Sequence, residues 1–76
     1  MKKVIDYRYG ENNGIIVLCF RSRTCPRIPV THTAVDNYLI EIKSPYNFKQ
    51  LHEKVSLEKR LSILTEFYDY KRNNPV

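Results

Sequence analysis

The chain has 76 residues, 42% of them hydrophobic, and carries 13 lysines and arginines against eight acidic residues, a net charge of +5. This length predicts one domain over residues 1–76 with one core, and the apolar content argues against disorder. The longest apolar run, Ile15 to Phe20, is far shorter than the roughly 18 residues of a membrane span, and charges interrupt any N-terminal signal segment. We therefore expect a cytoplasmic protein with reduced cysteines.

The first strand and its partner are predicted from period-two alternation. Ile5, Tyr7 and Tyr9 alternate with Asp6 and Arg8, and the apolar run from Ile15 opens a second strand that is predicted over residues 15–23. Between them, Asn13-Gly14 is typical of a two-residue hairpin turn. That turn would pair the residues as follows: Tyr9 with Leu18, Tyr7 with Phe20, Asp6 with Arg21, and Arg8 with Cys19.

The middle of the chain supports two interpretations. Pro26 and Pro29 predict a connector over residues 24–29, because proline lacks an N–H and restricts the residue before it. Residues 37–43 alternate as a strand would, whereas the segment from Thr33 to Asp36 looks like a capping box for a helix. The β-branched content favours a strand over residues 37–43.

Two helices are predicted after this segment. Ser44-Pro45 is a typical N-cap and first helical residue, and Ser56 would cap a longer helix from Leu57 to about Arg72. The predicted fold class is therefore α+β: an N-terminal antiparallel hairpin with a third strand, packed against two C-terminal helices.

The long C-terminal helix carries more apolar surface than one packing face needs. Beside a first stripe, Ile63, Phe67 and Tyr70 recur at helical spacing. Such a stripe either packs within the molecule or binds a partner, and aromatic side chains are common interface anchors. We consider both, including a homodimer through this helix.

The positive charge is concentrated in the first 29 residues. Six cations stand there against two acids, whereas residues 30–76 hold seven against six. A one-sided basic surplus favours an anionic partner, either nucleic acid or an acidic protein surface. The candidate anion-binding residues are Lys2, Lys3, Arg8, Arg21, Arg23 and Arg27.

The sequence gives little support for a reactive thiol, a metal site or acid–base catalysis. Cys19 and Cys25 are separated by five residues, wider than the spacing of structural zinc sites, so we expect no metal and no cofactor. His32 is a candidate general acid or base, but no carboxylate pair accompanies it in the sequence, so we expect no catalytic site.

Three functions remain, in this order. The first is a non-enzymatic binding module that contacts an anionic macromolecule, nucleic acid in particular, through the basic hairpin and loop. The second is a small protein-binding inhibitor or accessory subunit that uses the C-terminal stripe. The third is a metal-free ribonuclease-type toxin that uses His32. Richness in Ile, Lys, Asn and Tyr is typical of AT-rich genomes, including those of viruses and mobile elements.

Overall fold

Three antiparallel strands precede three helices in the computed structural model, which describes residues 3–21 and 27–73. The strands are β1 (Val4–Gly10), β2 (Ile15–Phe20) and β3 (Arg27–Thr31), in the sheet order β1-β2-β3. The helices are α1 (His32–Glu41), α2 (Phe48–Lys54) and α3 (Leu57–Asn73). The predicted α+β class is confirmed.

The hairpin between β1 and β2 has a longer turn than predicted. Gly10 pairs with Ile15, so residues 11–14 form a four-residue loop, closed by a 2.9 Å hydrogen bond from the Gly14 N–H to the Gly10 carbonyl. Asn13 stabilises this loop by accepting from the Ile15 N–H at 3.0 Å. Gly14 has a φ of 67°, which glycine adopts without strain.

The longer turn shifts the predicted register by two residues. Tyr9 lies opposite Ile16, and Tyr7 opposite Leu18, so the pairings of Asp6 with Arg21 and of Arg8 with Cys19 were wrong. A shift of two keeps every side chain on its predicted face, because side chains alternate with period two. The faces of residues 6–10 were therefore right although their partners were not.

A bulge in β1 changes which residue enters the core at the start of the strand. Val4 pairs with Phe20 and Asp6 with Cys19, which leaves Ile5 as the extra residue. Val4 is fully buried, whereas Ile5 is 49% exposed, so the expectation that Ile5 shares the face of Tyr7 was wrong. The Val4 N–H donates to Thr65 Oγ1 of α3 at 3.0 Å, which ties this end of the sheet to the helix.

The third strand lies ten residues earlier than predicted. Residues 27–31 form β3, and the segment predicted as a strand over 37–43 is mostly the second half of α1. The N-cap of α1 is Thr31, whose Oγ1 accepts from the Ala34 N–H at 3.1 Å. The helical alternative for this segment was therefore right, but its cap lies two residues before the predicted Thr33.

Pro29 sits inside β3 rather than in a connector. The His32 N–H donates to the Gly14 carbonyl at 2.7 Å, and N–H groups alternate in direction along an antiparallel strand. The N–H groups of Ile28 and Val30 therefore face β2, and the nitrogen of Pro29 faces the open edge. An edge strand tolerates proline at that position because no ladder bond is lost.

The two C-terminal helices form, but α2 begins at Phe48, three residues later than predicted. The N-cap of α2 is Asn47, which forms a capping box with Gln50, instead of Ser44. Ser44 accepts from the Tyr46 N–H instead. α3 begins at Leu57 and ends at Asn73, close to the predicted bounds.

All three helices pack on one face of the sheet. The strands contribute buried side chains from that face: Val4, Tyr7, Ile16, Leu18, Phe20 and Val30. The helices supply the facing layer: Val35, Tyr38, Leu39, Phe48, Leu51, Leu64 and Phe67. These residues form one core, so in the described residues the opposite face of the sheet is left uncovered.

Within residues 3–21 and 27–73, no helix has the length and apolar character needed to cross a membrane.

Candidate nucleic-acid interface

The uncovered face of the sheet is ordered in rows across the three strands. One row is Asp6, Cys19 and Arg27, and the next is Arg8, Val17 and Pro29. Gly10, Ile15 and Thr31 form a third row. We call these nine residues the open face. Its central strand carries half-buried aliphatic and thiol side chains, and its two edge strands carry the charges.

Two arginines stand at opposite edges of the open face. Arg8 lies on β1 and Arg27 on β3, in adjacent rows, and both are exposed. With strands about 4.8 Å apart and about 3.4 Å of rise per residue, their Cα atoms are about 12 Å apart along the diagonal. Both guanidinium groups therefore extend from a rigid sheet rather than from a loop.

In the described part of the chain, the arginines of this region have no carboxylate within ion-pair distance. The one contact at that distance joins His32 Nδ1 to Asp36 Oδ2 and involves neither Arg8, Arg21 nor Arg27. Asp6 lies on the open face, but its Oδ1 accepts from the Tyr7 N–H at 2.8 Å. A guanidinium without a carboxylate partner is free to bind an external anion such as phosphate.

The structure brings together part of the predicted cation set. The second strand ends at Phe20, so the prediction that Arg21 continues it was wrong. Arg21 is exposed directly after the strand end, two residues beyond Cys19, the β2 partner of Arg27. Lys3 is exposed but lies beside α3, where it lines a recess of about 380 Å³ with Ser62, Thr65, Glu66 and Asp69. The predictions for Lys2 and Arg23 lie outside the described residues.

Cys19 is half-buried on the central strand of the open face, in the row of Asp6 and Arg27, and Cys25 lies outside the described residues. Among the residues that the structure describes, no group of three or more histidine, cysteine or acidic side chains is placed to hold a metal ion.

The stripe of Ile63, Phe67 and Tyr70, which was expected either to pack within the molecule or to bind a partner, lies largely inside the molecule. Phe67 is 3% exposed and meets the Tyr38 ring edge-on at 5.5 Å, and Ile63 is half-buried against the core. Tyr70 is 38% exposed and its ring lies 5.1 Å from that of Tyr38. The width of the apolar surface on α3 is thus used to contact α1 as well as the sheet.

His32 has an acidic neighbour that its sequence surroundings did not suggest. Its Nδ1 lies 3.2 Å from Asp36 Oδ2, one helical turn later on α1, and its ring stacks on Tyr9 at 6.0 Å. The other oxygen of Asp36 accepts from the Phe48 N–H at 2.9 Å. Asp36 therefore holds the His32 ring in place and also fixes the start of α2.

Sequence reasoning missed a second polar cluster, formed by Tyr7, His52 and Arg60. The Tyr7 hydroxyl lies 2.6 Å from Nδ1 of His52 and accepts a hydrogen bond from the Arg60 guanidinium. Because its oxygen accepts from Arg60, its own proton is available to Nδ1, which makes that nitrogen the acceptor. No local signal predicts this cluster, since its members lie on three separate elements.

The end of the molecule that carries the β1–β2 loop, residues 11–14, is unfavourable for binding phosphate, although His32 and His52 both lie beside Tyr9 there. Partial burial, and then the charges of Glu11, Asp36 and Glu53, raise the pKa of the Tyr9 hydroxyl above its usual value. The same negative charges would repel a nucleic-acid backbone. The acidic hairpin end and the arginine-bearing open face are therefore chemically distinct surfaces.

Comparison of the chain with protein-family models, curated proteins and solved structures finds no match. The geometry of the described residues is therefore the basis for any assignment of function.

Proposed function

We propose that this protein is a non-enzymatic module that binds nucleic acid through the open face of its sheet. The supporting observation is a pair of exposed arginines, Arg8 and Arg27, on opposite edges of one sheet face. Within residues 3–21 and 27–73, neither arginine has an ion-pair partner and no helix covers this face. Arg21 adds a third cation next to them. Arginine favours phosphate because its planar fork of N–H donors matches two phosphate oxygens.

Nucleic acid is preferred over a protein partner because of where the apolar surface lies. The aromatic stripe that a protein partner would use is largely buried in the core, with Phe67 only 3% exposed. The open face instead carries two arginines and one aspartate, Asp6, on its edge strands, with side chains of modest size on its central strand. Its surplus of positive charge suits a regular phosphate backbone.

The first prediction is a salt-dependent affinity that the arginines control. If Arg8, Arg21 and Arg27 contact three phosphates, raising the salt from 50 to 200 mM should weaken binding about 40-fold, because each contact releases about 0.9 counterion. Removing one contact, as in Arg8→Ala or Arg27→Ala, should reduce this factor to about 12-fold. Fluorescence anisotropy with labelled single- and double-stranded oligonucleotides measures both values.

Lys59→Ala is the matched control, because Lys59 is exposed on α3, away from the open face, and its loss changes the net charge equally. Its salt dependence should equal that of the unmodified protein.

Absence of binding to every oligonucleotide at 50 mM salt would contradict the proposal. The RNA recovered after binding should be intact, so cleavage abolished by His32→Ala would favour the ribonuclease alternative instead.

A further inference from the structure

The dimensions of the open face point to one kind of nucleic acid. Two strand spacings place the backbones of β1 and β3 about 10 Å apart, and the B-DNA major groove is about 12 Å wide. The groove admits a two-stranded β-ribbon, and strands enter it in DNA-binding proteins. A three-stranded sheet is wider than such a ribbon, so this sheet would lie across the mouth of the groove with β2 over its centre. Arg8 and Arg27 lie on the two outer strands, where their side chains would reach phosphates on opposite walls of the groove.

The middle of the open face is shaped for close approach. Ile15, Val17 and Cys19 on β2 are of modest size and half-buried, so no long side chain projects from the centre. Aliphatic groups in this position suit the thymine methyl group, which is displayed only in the major groove. The face thus has charged edges for the backbone and an apolar centre for the base edges.

The same face is poorly suited to single strands. Proteins that bind unpaired nucleotides stack the bases on aromatic rings. Among the described residues, the nine of the open face include no aromatic side chain, because Tyr7, Tyr9 and Phe20 all point to the helix-covered side. Duplex RNA is also disfavoured, since its major groove is too narrow and deep for side chains to read.

We infer that the ligand of the open face is B-form duplex DNA, with the three-stranded sheet lying against the major groove and Arg8 and Arg27 contacting the two flanking phosphate backbones. This inference rests on the proposed function, because it names the substrate class of the same surface.

The test compares one 20-base-pair sequence as duplex DNA, duplex RNA and single-stranded DNA at equal salt. Duplex DNA should bind at least tenfold more tightly than either of the others. Methyl green, a major-groove ligand, should displace the protein, whereas netropsin, a minor-groove ligand, should not. Val17→Glu, which places a negative charge at the centre of the open face, should weaken binding to duplex DNA by more than tenfold.

Ile40→Glu is the matched control, because Ile40 is 73% exposed on α1 and the change in charge is the same. It should leave the affinity within about twofold, and thermal unfolding should show that both variants are folded. Should Val17→Glu fail to fold, Ile15→Glu places the same negative charge on the same strand and should weaken binding to duplex DNA in the same way.

The possible failures are distinguishable. If no nucleic acid binds at all, the proposed function is wrong. If single strands or duplex RNA bind as tightly as duplex DNA, or if netropsin displaces the protein and methyl green does not, the proposed function stands and this inference is overturned.

Discussion

At the scale of single residues, Tyr7 connects three elements through one hydroxyl group. Its ring is 8% exposed and packs edge-on against Phe48 at 5.7 Å, while its hydroxyl joins His52 of α2 to Arg60 of α3. Arg60 also donates from Nε to the Val55 carbonyl at 2.8 Å, so it fixes the segment between the two helices. The cluster of Tyr7, His52 and Arg60 orients α2 and α3 relative to β1. Apolar contacts alone would specify this orientation less uniquely.

Tyr7→Phe should lower the free energy of unfolding by about 1–2 kcal/mol, because it leaves His52 Nδ1 and one Arg60 N–H without their shared partner. Urea denaturation monitored by circular dichroism measures the difference. Tyr46→Phe is the control, since Tyr46 is 39% exposed, and it should change stability by less than about 0.5 kcal/mol. Equal effects of the two substitutions would show that the hydroxyl network contributes nothing.

At the scale of secondary-structure elements, Thr31 marks a direct change from strand to helix. It is the last residue of β3, and its side chain caps α1, which begins at the next residue. No loop separates the two elements, so the edge of the open face and the start of α1 are rigidly joined. The cap also places His32 in the first turn of α1, within reach of Asp36.

Thr31→Ala should destabilise the protein by about 1 kcal/mol, because the Ala34 N–H loses its acceptor. Thr33→Ala should have little effect or stabilise slightly, because Thr33 is exposed inside α1 and alanine is the better helix former. The unfolding temperatures of the two variants show whether Thr31 or Thr33 is the N-cap of α1. A larger loss for Thr33→Ala would place the start of the helix where the sequence pattern predicted it.

At the scale of the whole molecule, a single one-sided core carries most of the stability. A chain of this size buries only about 60% of the surface that it exposes when unfolded, so its stability margin is small. Phe67 lies at the meeting point of α3 and α1 in that core, with Tyr38 as its aromatic neighbour. Removing a large buried ring from so small a core leaves little stability in reserve.

Phe67→Ala should cost about 3–5 kcal/mol and leave the protein largely unfolded at 37 °C. Leu57→Ala, in the same helix but 48% exposed, should leave it folded. Circular dichroism at 25 and 37 °C measures both. A folded Phe67→Ala protein that has lost a protein partner would instead support the interaction surface considered from the sequence.

The α+β class, the hairpin, the two C-terminal helices and the assignment of Tyr7 and Tyr9 to the core face could be predicted from the sequence. These features depend on hydrophobic periodicity and on turn and helix-capping signals, and each of these patterns involves only residues that are close together in the sequence. The exposure of Arg8 follows from the same alternation. The predicted strand register was wrong by two residues, but Arg8 still lies on the predicted face, because a shift of two does not exchange the two faces of a strand.

The tertiary structure alone decided the remaining points, because each depends on contacts between residues distant in sequence. Residues 32–41 form a helix despite their β-branched content, since Val35, Tyr38 and Leu39 meet the core on one side. Pro29 is accepted in a strand because that strand is at the edge of the sheet. Burial of the stripe on α3 and exposure of the open face have the same cause: the helices cover one side of a three-stranded sheet. The alternation along β1 predicts which face of that strand is apolar, but only packing decides that all three helices cover that one face and that the stripe on α3 is buried between them.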